Sequence, residues 1–176
     1  MCGIAFIKEQ IHNFPSPLLW TKIIIHHSLS KDGNVNNWEG IKRWHLGQIG
    51  GSDVRARDYN PYVLNPMLDI GYHYGLEIED LRYVYRIGRP LDMQGGHTLK
   101  QNHCALGICV IGDFDVESPA NTIYFLLGSL CRELMGRFNI SIDNVLPHWA
   151  FANKTCPGKL FNFLLFREHY LKGNGL

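Results

Sequence analysis

The segment formed by residues 22–28 constrains the fold more than any other, because three consecutive isoleucines lead directly into two histidines. β-Branched side chains favour extended backbone, and a short continuous apolar run is typical of a strand buried on both faces. The pattern therefore predicts a buried strand that ends at His26. Since successive side chains of a strand point to opposite faces, we expect His27 to face away from His26, toward the core.

Strands and helices alternate along the rest of the chain. A helix is predicted behind Asn36 or Asn37, either of which could cap a segment whose aromatic and aliphatic residues recur at helical spacing. Leucines at the same spacing predict an amphipathic helix over residues 124–138. The other predicted elements are strands at residues 70–78, 83–88 and 105–114 and a final helix at residues 160–171. This order indicates an α/β fold whose central sheet is covered by helices on both faces.

The composition suits one domain without a strong attraction for charged polymers. The chain has 176 residues, 45% of them hydrophobic, so it can bury one substantial core, and we expect a single domain spanning residues 1–176. Seventeen basic side chains nearly balance sixteen acidic ones. This balance argues against nucleic acid as a partner, and no polybasic or long apolar run predicts a membrane anchor. We expect a monomer.

The cysteines do not form a disulfide pattern. Their number, five, is odd and their spacing matches no framework, so we expect reduced thiols and synthesis in the cytoplasm. The N-terminus lacks the basic flank and apolar run of a signal peptide.

Two residues near the C-terminal end, His148 and Cys156, could form a metal site together with His26. Imidazole and thiolate are preferred Zn²⁺ ligands, and three protein ligands leave a tetrahedral ion one position for water. Extended chain would separate His148 from Cys156 by roughly 30 Å, so the two can share an ion only if the segment folds back. Prolines at its two ends favour such a loop. If the loop is locally extended, Lys154 points to the same side as Cys156 and brings an ammonium group to the metal.

Several further motifs follow one another in a fixed order. They are Ile23-Ile24-Ile25-His26-His27-Ser28, Trp44-His45, Ile70-Gly71-Tyr72-His73-Tyr74, Gly88-Arg89-Pro90, Gly95-Gly96-His97, Asn102, Ala105-Leu106-Gly107-Ile108-Cys109-Val110-Ile111-Gly112 and the stretch from His148 to Gly158. On these motifs, which cover about residues 20–163, the chain resembles the type 2 zinc-dependent N-acetylmuramoyl-L-alanine amidases, the group of phage lysozymes and peptidoglycan-recognition proteins. The resemblance implies a central mixed β-sheet flanked by helices.

The resemblance also implies the roles of six residues and the activity. One Zn²⁺ per chain is bound by His26, His148 and Cys156, Tyr72 and Lys154 are catalytic, and His97 lines the cleft and contacts the substrate. The implied reaction is hydrolysis of the amide bond between N-acetylmuramic acid and L-alanine, so peptidoglycan is the expected partner. We expect an endolysin-like enzyme, made in the cytoplasm without a signal peptide and delivered to the cell wall by a holin or by lysis.

Two features depart from the family pattern. Residues 47–68 form an insertion rich in turn residues just before Tyr72, and it is either a rim that grips the substrate or a solvated surface loop. Cys109 stands where one branch of the family has a glutamate that acts as general base, whereas the phage-lysozyme branch also has cysteine. We interpret Cys109 as a small core residue, with proton handling left to Tyr72 and the metal site.

Three other functions are compatible with parts of the sequence. A peptidoglycan-binding protein without catalytic activity could share the fold, although such a protein would be expected to lack the cysteine ligand. A purely structural zinc protein would normally supply four ligands. The opening Met1-Cys2-Gly3-Ile4 resembles class II glutamine amidotransferases, in which Cys2 would become the N-terminal nucleophile, but no other part of the chain does.

Overall fold

The computed structural model describes residues 3–13, 16–29, 37–46, 67 and 69–172. A five-stranded sheet with the order β3-β2-β4-β1-β5 lies at its centre. The strands are β1 Lys22–His27, β2 Tyr74–Glu79, β3 Arg82–Ile87, β4 Ala105–Val110 and β5 Val145–Pro147. The α-helices are α1 Ile4–Asn13, α2 Trp38–His45, α3 Asn121–Phe138 and the short α4 Phe163–Leu165, which continues as a π-helical segment, Phe166–Leu171.

The sheet is mixed, and β1 lies inside it. β1 pairs in parallel with β4 on one side and with β5 on the other, whereas β2 and β3 form an antiparallel pair. The three isoleucines of β1 have no solvent exposure, as expected of a strand covered on both faces. The predicted strand at residues 22–28 is therefore confirmed.

Helices cover both faces of the sheet. On one face, α1, α3 and the C-terminal helical segment pack on Ile23 and Ile25 and form the larger hydrophobic core. On the other face, Trp38 of α2 packs against Gly75 of β2, where a Cβ atom would lie 2.2 Å from the indole. The predicted layered α/β fold is confirmed. No helix within the described part of the chain is long and apolar enough to cross a membrane.

The predicted element positions are correct in part. Asn37 caps α2, its side chain accepting a hydrogen bond from the Gly40 amide, and α3 begins three residues before the predicted helix. The strand predicted at residues 70–78 begins only at Tyr74. The reason is that the backbone of Gly71 forms hydrogen bonds with residues outside the sheet. Its N–H donates to Nδ1 of His45 and its carbonyl accepts from Gly96. The helix α1 and the short strand β5 were not predicted, and the insertion at residues 47–68, apart from Met67, lies outside the described residues.

Buried polar contacts fix α2 above the sheet. The carboxylate of Glu77 on β2 accepts a hydrogen bond of 2.9 Å from the Trp38 N–H at the start of the helix and pairs with Arg86 on β3. At the other end of α2, Nδ1 of His45 accepts the Gly71 N–H at 3.0 Å. The helix is therefore attached at both ends to the segment that carries Tyr72.

His45 is buried as a neutral imidazole. Burial, with a smaller effect of the Arg89 charge, lowers the pKa of His45 from 6.5 to about 4. The unfolded chain thus takes up a proton near pH 6.5, whereas the folded chain does so only near pH 4. Stability from this site is complete above pH 6.5 and is lost as the pH falls from 6.5 toward 4.

We predict that His45→Asn weakens this pH dependence. The asparagine oxygen can accept the Gly71 N–H but does not titrate. Between pH 7 and pH 5 the wild type should lose about 2 kcal/mol of unfolding free energy through His45, and the variant should lack that loss. Urea unfolding of chelator-treated protein measures it, with the exposed His103→Asn as the control. Parallel pH curves for His45→Asn and wild type would contradict the assignment.

Candidate metal centre

The structure brings the three predicted ligand residues together. One ligand atom from each of His26, His148 and Cys156 lies within 4.8 Å of the others. The Cys156 sulfur is 3.7 Å from Nδ1 of His26, and the centroids of the two imidazole rings are 4.4 Å apart. All three residues are buried. A histidine, histidine and cysteine set at this spacing fits a zinc ion.

Strand pairing places the two histidines side by side. β5 runs parallel to β1, with Pro147 opposite Ile25. The next residue along each strand is a histidine, His148 and His26, so both emerge at the carboxyl edge of the sheet. This placement depends on β5, which the sequence pattern did not reveal.

The segment after His148 folds back as predicted and delivers Cys156. The Trp149 N–H donates to the Cys156 carbonyl at 2.9 Å, which closes the loop. Gly158, with φ of +121°, then lies so close to Phe114 that a Cβ atom would stand 2.5 Å from its backbone. The glycine is therefore required for both its backbone conformation and its packing.

Asp115 ties this loop to the end of β4. Its carboxylate accepts hydrogen bonds from the Thr155 hydroxyl at 2.7 Å and from the Lys159 N–H at 2.9 Å. Asp115 was not predicted as a site residue. An aspartate shortly after a strand is common, and its partners lie about forty positions away in sequence, so no local pattern could have revealed this contact.

The two histidines are held in the protonation state that binds metal. Burial lowers the pKa of His26 well below 6.5, and burial together with the Lys154 charge lowers the pKa of His148 to about 4. Both imidazoles are neutral at pH 7 and can donate a lone pair.

Cys156, the third member of the group, is held as a thiol. Burial raises the pKa of Cys156 to about 12, although a hydrogen bond from the His27 N–H and the Lys154 charge act in the opposite direction. Metal binding at this sulfur therefore requires the thiol to lose its proton. The His27 side chain itself points to the opposite face, where Nδ1 accepts the Phe114 N–H, as its strand position predicts.

Tyr72 and Lys154 both lie near the ligand set. The ring centroid of Tyr72 is 5.1 Å from that of His26. Lys154 is exposed and its segment is bent, so the extended backbone on which the prediction of its direction depended is not present. Its charge nevertheless lowers the pKa of His148 and Cys156, which means that a cation stands close to the proposed ion.

Cys109 lies beneath the site and is fully buried. It is opposite His26 in the β1–β4 register, and Tyr72 hydrogen-bonds with its thiol. Burial raises the pKa of Cys109 well above 9 despite that bond. The residue is a neutral thiol packed between strand and tyrosine, in agreement with its interpretation as a core residue. All four cysteines among the described residues are free.

Residues 16–159 match the family described as N-acetylmuramoyl-L-alanine amidase. The chain belongs to this family. It is 26% identical over 114 residues to the N-acetylmuramoyl-L-alanine amidase CwlH of Bacillus subtilis (strain 168), covering 61% of the chain and 42% of CwlH. It is 25% identical over 170 residues to peptidoglycan-recognition protein LB of Drosophila melanogaster, covering 94% of the chain and 66% of that protein.

A solved amidase structure has the same fold. The N-acetylmuramoyl-L-alanine amidase endolysin LysCS from Clostridium intestinale URNW superimposes with a TM-score of 0.63 at 25% identity, covering 85% of this chain and 82% of LysCS. The family and fold predicted from the motifs are therefore confirmed. The chain spans less than two thirds of the full length of CwlH and of peptidoglycan-recognition protein LB.

We predict that this member of the amidase family binds one zinc ion per chain through the three buried residues. Cys156→Ser should lower the zinc affinity at least 100-fold, because the thiolate ligand is lost. Cys104→Ser, which changes a half-buried thiol outside the ligand set, should retain stoichiometric zinc. Chelator competition and metal analysis measure both. Equal zinc affinity in the two variants would remove Cys156 from the site.

Proposed function

We propose that the chain is a zinc-dependent hydrolase that cleaves the amide bond between N-acetylmuramic acid and L-alanine in peptidoglycan. The convergence of His26, His148 and Cys156, in a chain of the amidase family, carries the proposal. Among the described residues this group has three members. Structural zinc sites usually have four protein ligands, so a three-membered set favours a catalytic ion.

A zinc ion at this site would polarise the scissile carbonyl and promote the ionisation of water. The side chains around the site have separate tasks. Tyr72, next to His26, positions the attacking water through its hydroxyl and accepts or returns its proton. Lys154 provides positive charge where the carbonyl oxygen becomes an anion, an effect worth about 3 kcal/mol for one good donor.

The reaction is a hydrolysis and needs no oxidant or reductant. The oxygen of water attacks the lactyl carbonyl carbon, and the bond from this carbon to the alanine nitrogen breaks. The nitrogen leaves with a proton taken from the attacking water, carried by Tyr72. The products are the glycan with a free carboxylate and the stem peptide with a free N-terminal alanine.

A surface groove beside the ligand loop could receive part of the substrate. Its volume is about 610 Å³, and its lining includes Trp149 and Thr155, the chain neighbours of His148 and Cys156. Trp149 is 52% exposed, whereas Trp20 and Trp38 are buried in the core. An exposed aromatic ring beside polar side chains suits a saccharide or peptide ligand.

Recognition of peptidoglycan without cleavage is the second candidate function, and the likeness to peptidoglycan-recognition protein LB favours it. Both functions predict binding to cell walls. Only the hydrolase predicts new amino-terminal alanine. The presence of Cys156 beside the two histidines supports hydrolysis.

The decisive assay is digestion of purified peptidoglycan by the zinc-loaded protein. Labelling of new N-termini and mass spectrometry should detect stem peptides that begin with alanine. Cys156→Ser should release none. Binding to the wall without such release by the wild type would reject the hydrolase in favour of recognition.

We predict that Tyr72→Phe and Lys154→Ala separate chemistry from metal binding. Each should lower kcat about 100-fold or more while zinc content is unchanged, because the groups act on the transition state and are not ligands. Lys172→Ala, which changes an exposed lysine just after the C-terminal helical segment and outside the groove, is the control and should keep kcat. Loss of zinc from the Tyr72 or Lys154 variant would indicate a structural role, and unchanged kcat would exclude the residue from the mechanism.

A further inference from the structure

The ring of His97 occupies a slot that two glycines leave open. A Cβ atom on Gly107 of β4 would lie 2.4 Å from the His97 ring, and one on Gly95 would lie 2.5 Å from it. The Asn102 side chain accepts the N–H groups of both His97 and Thr98, at 2.9 and 2.8 Å. The backbone and the side chain of His97 are thus both held in place. A residue this constrained is suited to orienting a neighbour.

The hydrogen bonds of His97 determine which nitrogen carries its proton. Nε2 of His97 lies 3.1 Å from the Ala105 carbonyl oxygen, which can only accept, so Nε2 bears the hydrogen. A neutral imidazole has one N–H, and Nδ1 of His97 is therefore an acceptor. This Nδ1 lies 3.0 Å from Nε2 of His26.

The same logic then applies to His26. Two facing lone pairs at 3.0 Å would repel, so Nε2 of His26 must donate its hydrogen to Nδ1 of His97. The other nitrogen, Nδ1 of His26, is left with its lone pair, and it faces the Cys156 sulfur at 3.7 Å. The Ala105 carbonyl thereby specifies, through one intervening ring, which nitrogen of His26 is available to a metal.

We propose that His97 is a positioning residue that holds His26 in the Nε2–H tautomer, with Nδ1 presented as a metal ligand. This differs from the substrate-contact role that the family resemblance implies for His97. Both of its ring nitrogens are used within the protein, which leaves neither for the substrate. The proposal rests on the zinc site proposed above. Loss of a residue that hydrogen-bonds to a metal-binding histidine typically lowers metal affinity 10- to 100-fold.

Two substitutions of similar size test whether Nδ1 of His97 acts as a hydrogen-bond acceptor. His97→Asn keeps an oxygen near the position of Nδ1, whereas His97→Leu has the same shape without any polar atom. Both lose the bond to Ala105, so they differ in the two contacts that Nδ1 makes, with His26 and with the Thr98 hydroxyl, each at 3.0 Å. Thr98→Val is the control, because the Thr98 hydroxyl also lies near Nε2 of His26, at 3.4 Å.

The first measurement is the tautomer of His26 in the zinc-free protein, read from its ring nitrogen chemical shifts by NMR. Wild type, His97→Asn and Thr98→Val should all show Nε2–H, and His97→Leu should show a mixture of tautomers. An Nδ1–H tautomer in the wild type would overturn the proposal whether or not any variant folds. This measurement does not depend on zinc or on activity.

The second measurement is zinc affinity by chelator competition. His97→Leu should bind zinc 10- to 100-fold more weakly than wild type, and His97→Asn should lie within about threefold of wild type. Equal weakening in both variants, or none in His97→Leu, would contradict the proposal. Failure of the wild type to bind zinc would reject the proposed function, while the NMR result would still decide the role of His97.

Discussion

The parallel pairing of β1 with β5 is the constraint on which the candidate metal centre depends. It aligns Ile25 with Pro147, so the histidine that follows each of them emerges at the same edge of the sheet. β1 can hold this position because it is buried between β4 and β5 and covered on both faces. The continuous isoleucine run thus does more than build the core. It also determines where His26 lies along the sheet and to which face its side chain points.

Burial then determines the chemistry of the ligands. The imidazoles near the site, including His97 and His73, are kept neutral because burial lowers their pKa to about 3 and about 4. Neutral rings can be specified as one tautomer by carbonyl and amide partners. His73 is held in this way, with Nδ1 accepting the Gly107 N–H and Nε2 facing the Met93 carbonyl. The corresponding contacts of His26 run through His97 to the Ala105 carbonyl of β4.

The sequence predicted those elements of the fold whose signal lies within a short stretch of the chain. The isoleucine run predicted β1, a cap at Asn36 or Asn37 and helical spacing predicted α2, and the ordered motifs predicted the family. The sequence did not reveal β5, which is three residues long and includes a proline, or the late start of β2. That start depends on contacts of Gly71 with His45 and Gly96, which are distant in sequence. The helix α1 could have been recognised from Ile4, Ile7 and Ile11, which recur at helical spacing.

X-ray absorption at the zinc edge tests the central claim most directly. The protein loaded with one equivalent of zinc should show one sulfur at about 2.3 Å and nitrogen or oxygen neighbours at about 2.0 Å. That shell corresponds to Cys156, two histidines and a light atom from solvent. A shell without sulfur would contradict the account. Two sulfurs would also contradict it, since Cys109 would then be a ligand and the three-residue centre would be wrong.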